Sequence, residues 1–430
     1  MLALGMTIFL IALLAIGMPV GFSLAVAGTC GLYFLGGTDF ILGFLETAPL
    51  AAVGSYELIT IPMFLLMAEF VILSGIATEL FACIATWVGR MPGGLAIATA
   101  LTGAGFGAIS GSSTAAAATL SATSIPAMLE HGYDSKLACG VVAISGTLAM
   151  LIPPSVALVL YGLVGDVAIG ELLIAGIVPG ALVALTIIAT VLILIALDPQ
   201  RAPDLRRSSL SEKLRSLRVA GPMALLFLMV TGVIYTGIAT PTEAAGIGAF
   251  GAFMLALLYG RLTPRSLLTA LTRATSTTCM VIMIIIGANI FGYFLTLTRA
   301  TQDIITYVGD LPVEPWVILA AVLAVYLVLG CIMDQIAIIL LTVPIVLPLM
   351  RSLGFDPVWF GVLVVLTAEV GMVTPPIGMN AFVVSRFTGR PLEEVFIGAA
   401  PHVVAHLLLI VLFVVFPQII LWLPSTMMTR

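Results

Sequence analysis

Charged side chains are scarce in this chain of 430 residues, which has 16 Lys and Arg, 21 Asp and Glu, and 9% charged residues in all. Because an average globular chain is about a quarter charged, so few charges cannot cover the surface of a soluble fold of this length. The formal net charge of −5 comes from scattered residues, and no segment is basic enough to bind DNA. The composition therefore excludes a soluble globular protein and a nucleic-acid partner.

Cysteine and histidine are also rare, with five and three residues. The cysteines stand singly in apolar sequence without CxxC spacing, so we interpret them as small buried apolar residues rather than disulfides or metal ligands. His402 and His406 have the helical spacing of a metal-binding pair, but no acidic residue or cysteine joins them at that spacing, which favours interfacial packing. We expect no organic cofactor.

Apolar residues make up 61% of the chain, and the mean hydropathy is +1.25. At about 20 residues per crossing, this content predicts a helical membrane protein with on the order of ten crossings. The 42 Gly and 24 Pro predict that several helices are broken. The one sustained polar stretch, 198–218, is rich in Lys and Arg, so the positive-inside rule places it in the cytoplasm.

An internal repeat appears when the sequence is shifted by 222 positions, which aligns residues 122–179 with 344–401 without gaps. Most of the identities are Pro, Gly or acidic residues, which are rare in apolar sequence and determine backbone shape. The first-half members are Pro126, Met128, Gly132, Asp134, Val142, Pro153, Pro154, Glu171, Gly176 and Pro179. Two halves with matched interrupted helices are typical of secondary transporters, whose site lies at the repeat interface near the membrane midplane.

Each half contains a long apolar stretch with a polar interruption. In the first half, residues 110–114 interrupt the segment 95–125, which exceeds the about 20 residues that one crossing needs. We therefore predict a re-entrant helical hairpin with this polar run at its tip, since irregular backbone at membrane depth must be buried in protein or line a cavity. Residues 330–335 occupy the equivalent place in the second half.

Each half also contains a Pro-Pro pair, Pro153-Pro154 and Pro375-Pro376, inside an apolar segment. Adjacent prolines remove two amide donors, so the helix opens and leaves carbonyl oxygens unpaired. Such carbonyls and nearby hydroxyls suit Na⁺, and half-helix N-termini attract an anionic group. A simple proline kink is the alternative, but two breaks at matched positions beside matched hairpins favour a binding site.

Ionisable residues within apolar segments are candidate functional groups because each is costly in a bilayer. Asp334, at a hairpin tip, is the strongest candidate. Glu243 follows a Thr-Pro-Thr turn and is interpreted as a helix-start carboxylate. Glu369 is either coupled to protons or paired, and Arg299 is either an interface residue or a contact for an anion. Glu69 and Asp166 remain ambiguous.

An enzyme is the competing class. Residues 107–111 read Gly-Ala-Ile-Ser-Gly, similar to a serine-nucleophile turn, but neither a preceding strand nor a well-placed histidine supports that interpretation. Residues 330–334 lack the pattern expected of an intramembrane aspartyl protease. The sequence therefore predicts a transporter and not an enzyme.

Five motifs together resemble the large permease subunit of tripartite ATP-independent periplasmic (TRAP) transporters, and the resemblance covers essentially the whole chain. They lie at 110–114, 152–155, 241–245, 333–334 and 374–380. The resemblance implies Na⁺-driven, ATP-independent uptake of an organic acid by an elevator mechanism, in the bacterial inner membrane. It also implies two partners, a small membrane subunit and a periplasmic substrate-binding protein. A stand-alone Na⁺/dicarboxylate carrier is the alternative within transport.

The resemblance further implies an all-α polytopic fold with two pseudo-symmetric inverted repeats, each holding a re-entrant hairpin and a Pro-Pro broken helix. The expected division is scaffold at 1–90, transport domain at 91–170, scaffold at 171–300 with the linker 198–218, transport domain at 301–390, and a scaffold helix at 391–430.

Site residues are also implied by the resemblance, with two or more Na⁺ ions as the only metal. The expected Na⁺ ligands are Ser110, Ser113, Ala149, Ile152 and Pro154 at one site, and Gly330, Gly371, Thr374 and Ile377 at the other. Most act through backbone carbonyls, and Ala149 stands where glycine is common in the family. The expected substrate contacts are Ser112, Ser155, Asp334, Gln335, Asn380 and, more weakly, Arg299.

Overall fold

The computed structural model describes residues 1–203, 210–309 and 312–427. Part of the predicted cytoplasmic linker, including Arg206 and Arg207, therefore lies outside the described residues. Within the described ranges the regular structure is entirely helical, as the composition predicts.

The helices of the first half follow one another with short connections. They are α1 (Leu2–Ala15), α2 (Val20–Val53), α3 (Thr60–Ser74), α4 (Ile76–Val88), α5 (Gly94–Ser110), α6 (Ser113–Glu130), α7 (Ser135–Thr147), α8 (Val156–Gly165), α9 (Ile169–Ala175) and α10 (Ile177–Leu197). Short 3₁₀ turns occur at Tyr56–Ile59, Leu148–Met150 and Pro199–Arg201.

The second half contains the remaining ten helices of the described residues. They are α11 (Leu210–Tyr235), α12 (Pro241–Leu258), α13 (Pro264–Leu297), α14 (Ala300–Gly309), α15 (Pro315–Ile332), α16 (Gln335–Ser352), α17 (Pro357–Gly371), α18 (Met379–Thr388), α19 (Leu392–Val415) and α20 (Gln418–Ser425).

Eight helical segments of the described chain are long and apolar enough to cross a membrane. Several shorter apolar helices, among them α5, α7, α8 and α17, flank the interruptions that the sequence predicts. A multi-pass membrane protein with broken helices is therefore confirmed.

Glycines allow close contact between α2 and α13. A Cβ atom added at Gly28 of α2 would lie 2.8 Å from the Phe291 amide nitrogen of α13, and one at Gly21 would lie 2.9 Å from the Met283 carbonyl. Small residues let membrane helices approach this closely, which increases their van der Waals contact. In addition, α3 packs against α12, and α11 against α4 and α12. We call α2, α3, α4, α11, α12 and α13 the outer helices.

Several helical segments differ from the apolar segments of the sequence. Helix α2 extends beyond the apolar residues 19–35, because it consists of two helical stretches that meet at a kink at Gly37, where φ is +73°, and the second stretch ends at Val53. The apolar pattern did not predict α4 and α14, since Glu79 and Asp303 in their first turns interrupt it.

The Gly-Tyr/Phe-Asp turn of each half has the same local geometry. Gly132 and Gly354 adopt φ of +78° and +85°, conformations that glycine adopts without steric cost. The next helix is capped in each case by an aspartate: Asp134 accepts from the Leu137 amide at 3.3 Å, and Asp356 from the Val358 amide at 2.8 Å. These turns join α6 to α7 and α16 to α17.

The hairpin helices and the broken helices pack as one group. The pair α5 and α6 packs on α7, and the pair α15 and α16 packs on α17. Contacts also cross between the halves, since α8 packs against α16 and α18 packs against α6. In addition, α19 packs along α7 and against α10. This group of α5 to α8 and α15 to α18, here called the inner helices, holds every interruption described below.

Candidate functional site

The first hairpin turns at the predicted polar run. Helix α5 ends at Ser110, Gly111 adopts φ of +56°, and the Ser112 hydroxyl accepts a hydrogen bond from the Ala115 amide at 3.4 Å to cap α6. A Cβ atom added at Gly111 would lie 3.5 Å from the Pro154 carbonyl oxygen. The tip therefore rests directly against the first Pro-Pro break.

The first break is a buried stretch of irregular chain. Residues 151–155 follow the 3₁₀ turn after α7, and all are buried. The Pro153-Pro154 peptide is cis. The Ser155 hydroxyl donates to the Met150 carbonyl and accepts from the Leu158 amide at 3.2 Å, so this side chain caps α8.

The second hairpin turns at the equivalent place. Helix α15 ends at Ile332, and the Asp334 carboxylate accepts from the Ile336 amide at 3.1 Å to cap α16. Ser112 and Asp334 occupy the same capping position and are separated by the 222-residue offset of the repeat. Gln335 is buried, and its amide nitrogen donates to the Val365 carbonyl at 3.0 Å.

The second break follows α17. The Thr374 amide donates to the Gly371 carbonyl at 2.9 Å, and its hydroxyl donates to the Val370 carbonyl at 2.7 Å. The Pro375-Pro376 peptide is also cis. A Cβ atom added at Gly330 would lie 3.0 Å from the Gly371 Cα atom, so the second hairpin lies against this break.

The structure places the first hairpin beside Ala149 and Pro154, two of the expected Na⁺ ligands of the first site. A Cβ atom added at Gly107, one turn before Ser110, would lie 2.8 Å from the Ala149 Cα atom. The Ser110 hydroxyl is buried and has no hydrogen-bond partner among the described residues. A buried hydroxyl oxygen beside irregular backbone is a ligand that suits Na⁺, so the residues present fit such an ion.

The expected second site is more open. Gly330 and Gly371 are buried in mutual contact, whereas Thr374 is half-buried and Ile377 is 43% exposed. The carbonyl and hydroxyl groups of this set are hard oxygen donors of the same type as those of the first site.

The expected substrate residues lie in different surroundings. Ser112 and Asp334 are half-buried at the two tips, whereas Asn380 is fully buried in the first turn of α18 and both polar atoms of its side chain lack partners among the described residues. Arg299 stands apart from them: it lies at the junction of α13 and α14 with φ of +56° and an exposed side chain.

A contact between the halves was not predicted. The Ser113 hydroxyl, at the first tip, donates to Glu369 Oε1 on α17 at 3.1 Å and lies 3.7 Å from the Met372 sulfur. The Met372 backbone carbonyl in turn accepts a hydrogen bond from the Asn380 backbone amide at 3.0 Å. The acidic residue in an apolar segment was the signal for Glu369. The structure gives it a hydrogen bond from Ser113, and its two interpretations, proton coupling and pairing, stay predictions.

The remaining ionisable candidates have local contacts. Glu243 and Thr240 form a reciprocal capping box at the start of α12, with the Thr240 amide donating to Glu243 Oε2 at 2.8 Å, which confirms a helix-start role. The Asp166 carbonyl accepts from the Arg351 guanidinium at 3.1 Å. His402 and His406 are fully buried, and among the described residues no group of three or more His, Cys, Asp and Glu residues is arranged to bind a metal.

Comparison with known proteins identifies the family. The profile described as "Tripartite ATP-independent periplasmic transporter, DctM component" matches residues 7–419. The chain belongs to this DctM family. It is therefore a TRAP transporter large permease, a multi-pass inner-membrane protein and a transporter rather than an enzyme.

Characterised members of the DctM family are similar along most of their length. The C4-dicarboxylate TRAP transporter large permease DctM of Pseudomonas aeruginosa is 37% identical over 371 residues, covering 86% of each chain. The sialic acid permease SiaM of Vibrio cholerae is 31% identical, covering 96% of each chain. The ectoine permease TeaC of Halomonas elongata is 31% identical over 96% of this chain and 97% of its own.

Two solved structures have a fold similar to that of this DctM-family chain. The YdaH transporter of Alcanivorax borkumensis superimposes with a TM-score of 0.68 at 13% identity, covering 97% of this chain and 99% of its own. MtrF of Neisseria gonorrhoeae superimposes with a TM-score of 0.63 at 13% identity, covering 96% and 94%. YdaH is a transporter and MtrF belongs to a class of antimetabolite efflux pumps, and at this identity the likeness concerns the fold alone.

Proposed function

We propose that this permease imports an organic acid in symport with Na⁺, together with a small membrane subunit and a periplasmic binding protein that delivers the substrate. The tripartite and periplasmic character of the family supports the partners. Relatives named for C4-dicarboxylates and for sialic acid support an acidic substrate.

The arrangement of helix ends supports an anionic substrate. Helices α6 and α16 begin at the two tips, and α8 and α18 begin just after the two breaks. The N-terminus of a helix carries a partial positive charge and unpaired amide donors, so each of these four ends favours a carboxylate nearby. Asp334 then serves to hold hydroxyl groups of the substrate or to orient a water molecule.

One observation carries the proposal of Na⁺ coupling: each hairpin tip rests against a Pro-Pro break. Gly111 lies beside Pro154, and Gly330 lies beside Gly371. Broken helices supply carbonyl oxygens for a cation at the place where the substrate binds, which is how one chain couples the two. The buried, unpartnered Ser110 hydroxyl adds a side-chain oxygen to the first of these sites.

An elevator movement of inverted repeats is consistent with the packing. The crosswise pairs, α6 with α18 and α8 with α16, tie both hairpins and both broken helices into one body, the inner helices. The outer helices form a second group through the α2 to α13 and α3 to α12 contacts. We expect the inner helices to carry the substrate past the outer helices.

The proposal is tested by uptake into proteoliposomes that contain this permease and its small subunit. Labelled C4-dicarboxylate and sialic acid are offered with a Na⁺ or K⁺ gradient, and the binding protein is added or withheld. We expect flux that requires both Na⁺ and the binding protein. Flux without the binding protein would instead identify a stand-alone carrier, and equal flux with K⁺ would exclude Na⁺ coupling.

A matched pair of variants tests the Na⁺ site itself. Ser110→Ala removes the expected ligand, and Ser124→Ala removes another buried, unpartnered hydroxyl away from the tip, on α6. We expect only Ser110→Ala to raise the Na⁺ concentration for half-maximal uptake. Equal effects of the two substitutions would contradict the role of Ser110.

A further inference from the structure

Glu369 is a buried carboxylate with one of its two oxygens unpartnered among the described residues. It is 1% exposed, Oε1 accepts from Ser113, and Oε2 has no partner among the described residues. None of the ion pairs formed by described residues includes it. A buried carboxylate without compensating charge is costly, and the cost is removed either by a bound proton or by a nearby cation. Since expected Na⁺ ligands adjoin Glu369, we consider a bound cation.

Both expected Na⁺ sites adjoin this carboxylate. Ser113 belongs to the first site and is hydrogen-bonded to Glu369, whereas Gly371 of the second site follows Glu369 by two residues on the same chain. The contact therefore joins the tip of the first hairpin to the helix that precedes the second break.

We propose that Glu369 is a positioning residue that orients the Ser113 hydroxyl towards the first Na⁺ and couples the occupancy of the two Na⁺ sites. This inference rests on the Na⁺ coupling of the proposed function. A hydroxyl has one proton, and since Ser113 donates it to Glu369, the oxygen lone pairs are left for the ion. Partners that orient a metal ligand in this way contribute strongly to metal affinity.

Coupling follows from the charge. Two Na⁺ ions bound in a medium of low dielectric repel each other, and a carboxylate that attracts both would offset that repulsion. Without the charge, the second ion binds less readily once the first is present. Loss of the carboxylate should therefore lower both the Na⁺ affinity and the cooperativity of Na⁺ dependence.

The central variant is Glu369→Gln, which retains the size and an oxygen that accepts from Ser113 but removes the charge. Ser113→Ala removes the oriented hydroxyl, and Ser113→Thr restores one. Thr367→Val is the matched control, because it alters another buried, unpartnered polar group on α17. All four are compared with the unaltered permease, purified with its small subunit.

Two measurements separate positioning from a purely structural role. The first is the thermal stabilisation of the purified protein as Na⁺ replaces K⁺ at constant ionic strength. The second is the Na⁺ dependence of uptake. We expect Glu369→Gln to raise the half-maximal Na⁺ concentration about 10- to 100-fold and to lower the Hill coefficient. Ser113→Ala should weaken Na⁺ stabilisation, Ser113→Thr should restore it, and Thr367→Val should leave it unchanged.

The outcomes are distinguishable. If Na⁺ stabilises the unaltered protein and Glu369→Gln retains its half-maximal concentration within twofold, this inference is wrong while the proposed function stands. The same holds if Glu369→Gln lowers stability equally in Na⁺ and K⁺, since that is a structural effect. If the unaltered protein responds identically to Na⁺ and K⁺, the Na⁺ coupling and this inference fail together.

Discussion

The contact between Gly330 and Gly371 should tolerate no added methyl group. A Cβ atom at Gly330 would overlap the Ala368 carbonyl oxygen and lie 3.0 Å from the Gly371 Cα atom. Because both obstacles are backbone atoms, no side-chain rotation relieves the overlap, and α15 must move away from α17. Overpacking of this kind costs about 1–3 kcal/mol.

A matched substitution isolates that cost. Alanine replaces glycine in a helix interior with a gain of up to about 1 kcal/mol when space is available. Gly246, in α12, has no atom of another element within 4 Å of its added Cβ, so Gly246→Ala reports this gain alone. We expect Gly330→Ala to lower the apparent unfolding temperature in detergent and Gly246→Ala to keep or raise it.

The double variant provides a sharper test. Gly371→Ala makes the reciprocal overlap, with its Cβ atom 2.7 Å from the Gly330 Cα atom. Once the helices have separated to admit one methyl group, the second methyl group costs less. The double variant should therefore be destabilised by less than the sum of the two single destabilisations. Equal stability of Gly330→Ala and Gly246→Ala, or strict additivity of the double variant, would refute the packing argument.

Three further predictions concern helix caps. Ser155→Ala should lower stability by about 1 kcal/mol, because α8 loses its cap, and Ser155→Asn should recover part of it; equal unfolding temperatures for the two would contradict this. Thr240→Ala should cost about 0.5–2 kcal/mol at the capping box of α12 without changing the Na⁺ dependence of uptake, and a changed Na⁺ dependence would argue against a purely structural box. Asp334→Asn should keep the α16 cap, whereas Asp334→Ala should lose it. Reduced uptake in both variants would indicate that the charge is needed, and reduced uptake in Asp334→Ala alone would indicate that the cap is needed. Unchanged uptake kinetics in both variants would remove Asp334 from the substrate site.

The positions of the interruptions could be predicted from the sequence because they depend on local composition. A polar run within an apolar segment too long for one crossing identified the turn between α5 and α6, and the same argument identified the turn between α15 and α16. The Pro-Pro pairs identified the breaks because proline cannot donate to the helical ladder. Both features can be predicted without knowing which other helices pack against these segments.

The partner of Glu369 could not be predicted in this way. Ser113 lies 256 residues earlier, and no periodicity relates the two positions. Their contact arises because α6 packs against α18 and the first tip reaches the end of α17, which is a consequence of how the halves interlock. The sequence identifies an ionisable side chain that is costly to bury, whereas the role of that side chain depends on the tertiary arrangement.

The two breaks also differ in a way that their shared motif does not reveal. Residues 151–155 are all buried, whereas Pro375, Pro376 and Ile377 are exposed. Behind the first break lies the start of α10, where Gly176, just before the helix, is in close contact with Leu151 and Gly180 is in close contact with Ile152.

The repeat offset relates those glycines to Gly398 and His402 of α19, but Gly398 packs against Lys136 and Gly140 of α7 instead of against the second break. Helix α19 instead meets the second break through Phe396, which lies beside Gly378, and it leaves Pro375, Pro376 and Ile377 exposed. The Pro-Pro pair determines that a helix opens, and the helix behind it determines whether the opening is buried. Equal motifs thus produce one enclosed and one exposed stretch of irregular chain.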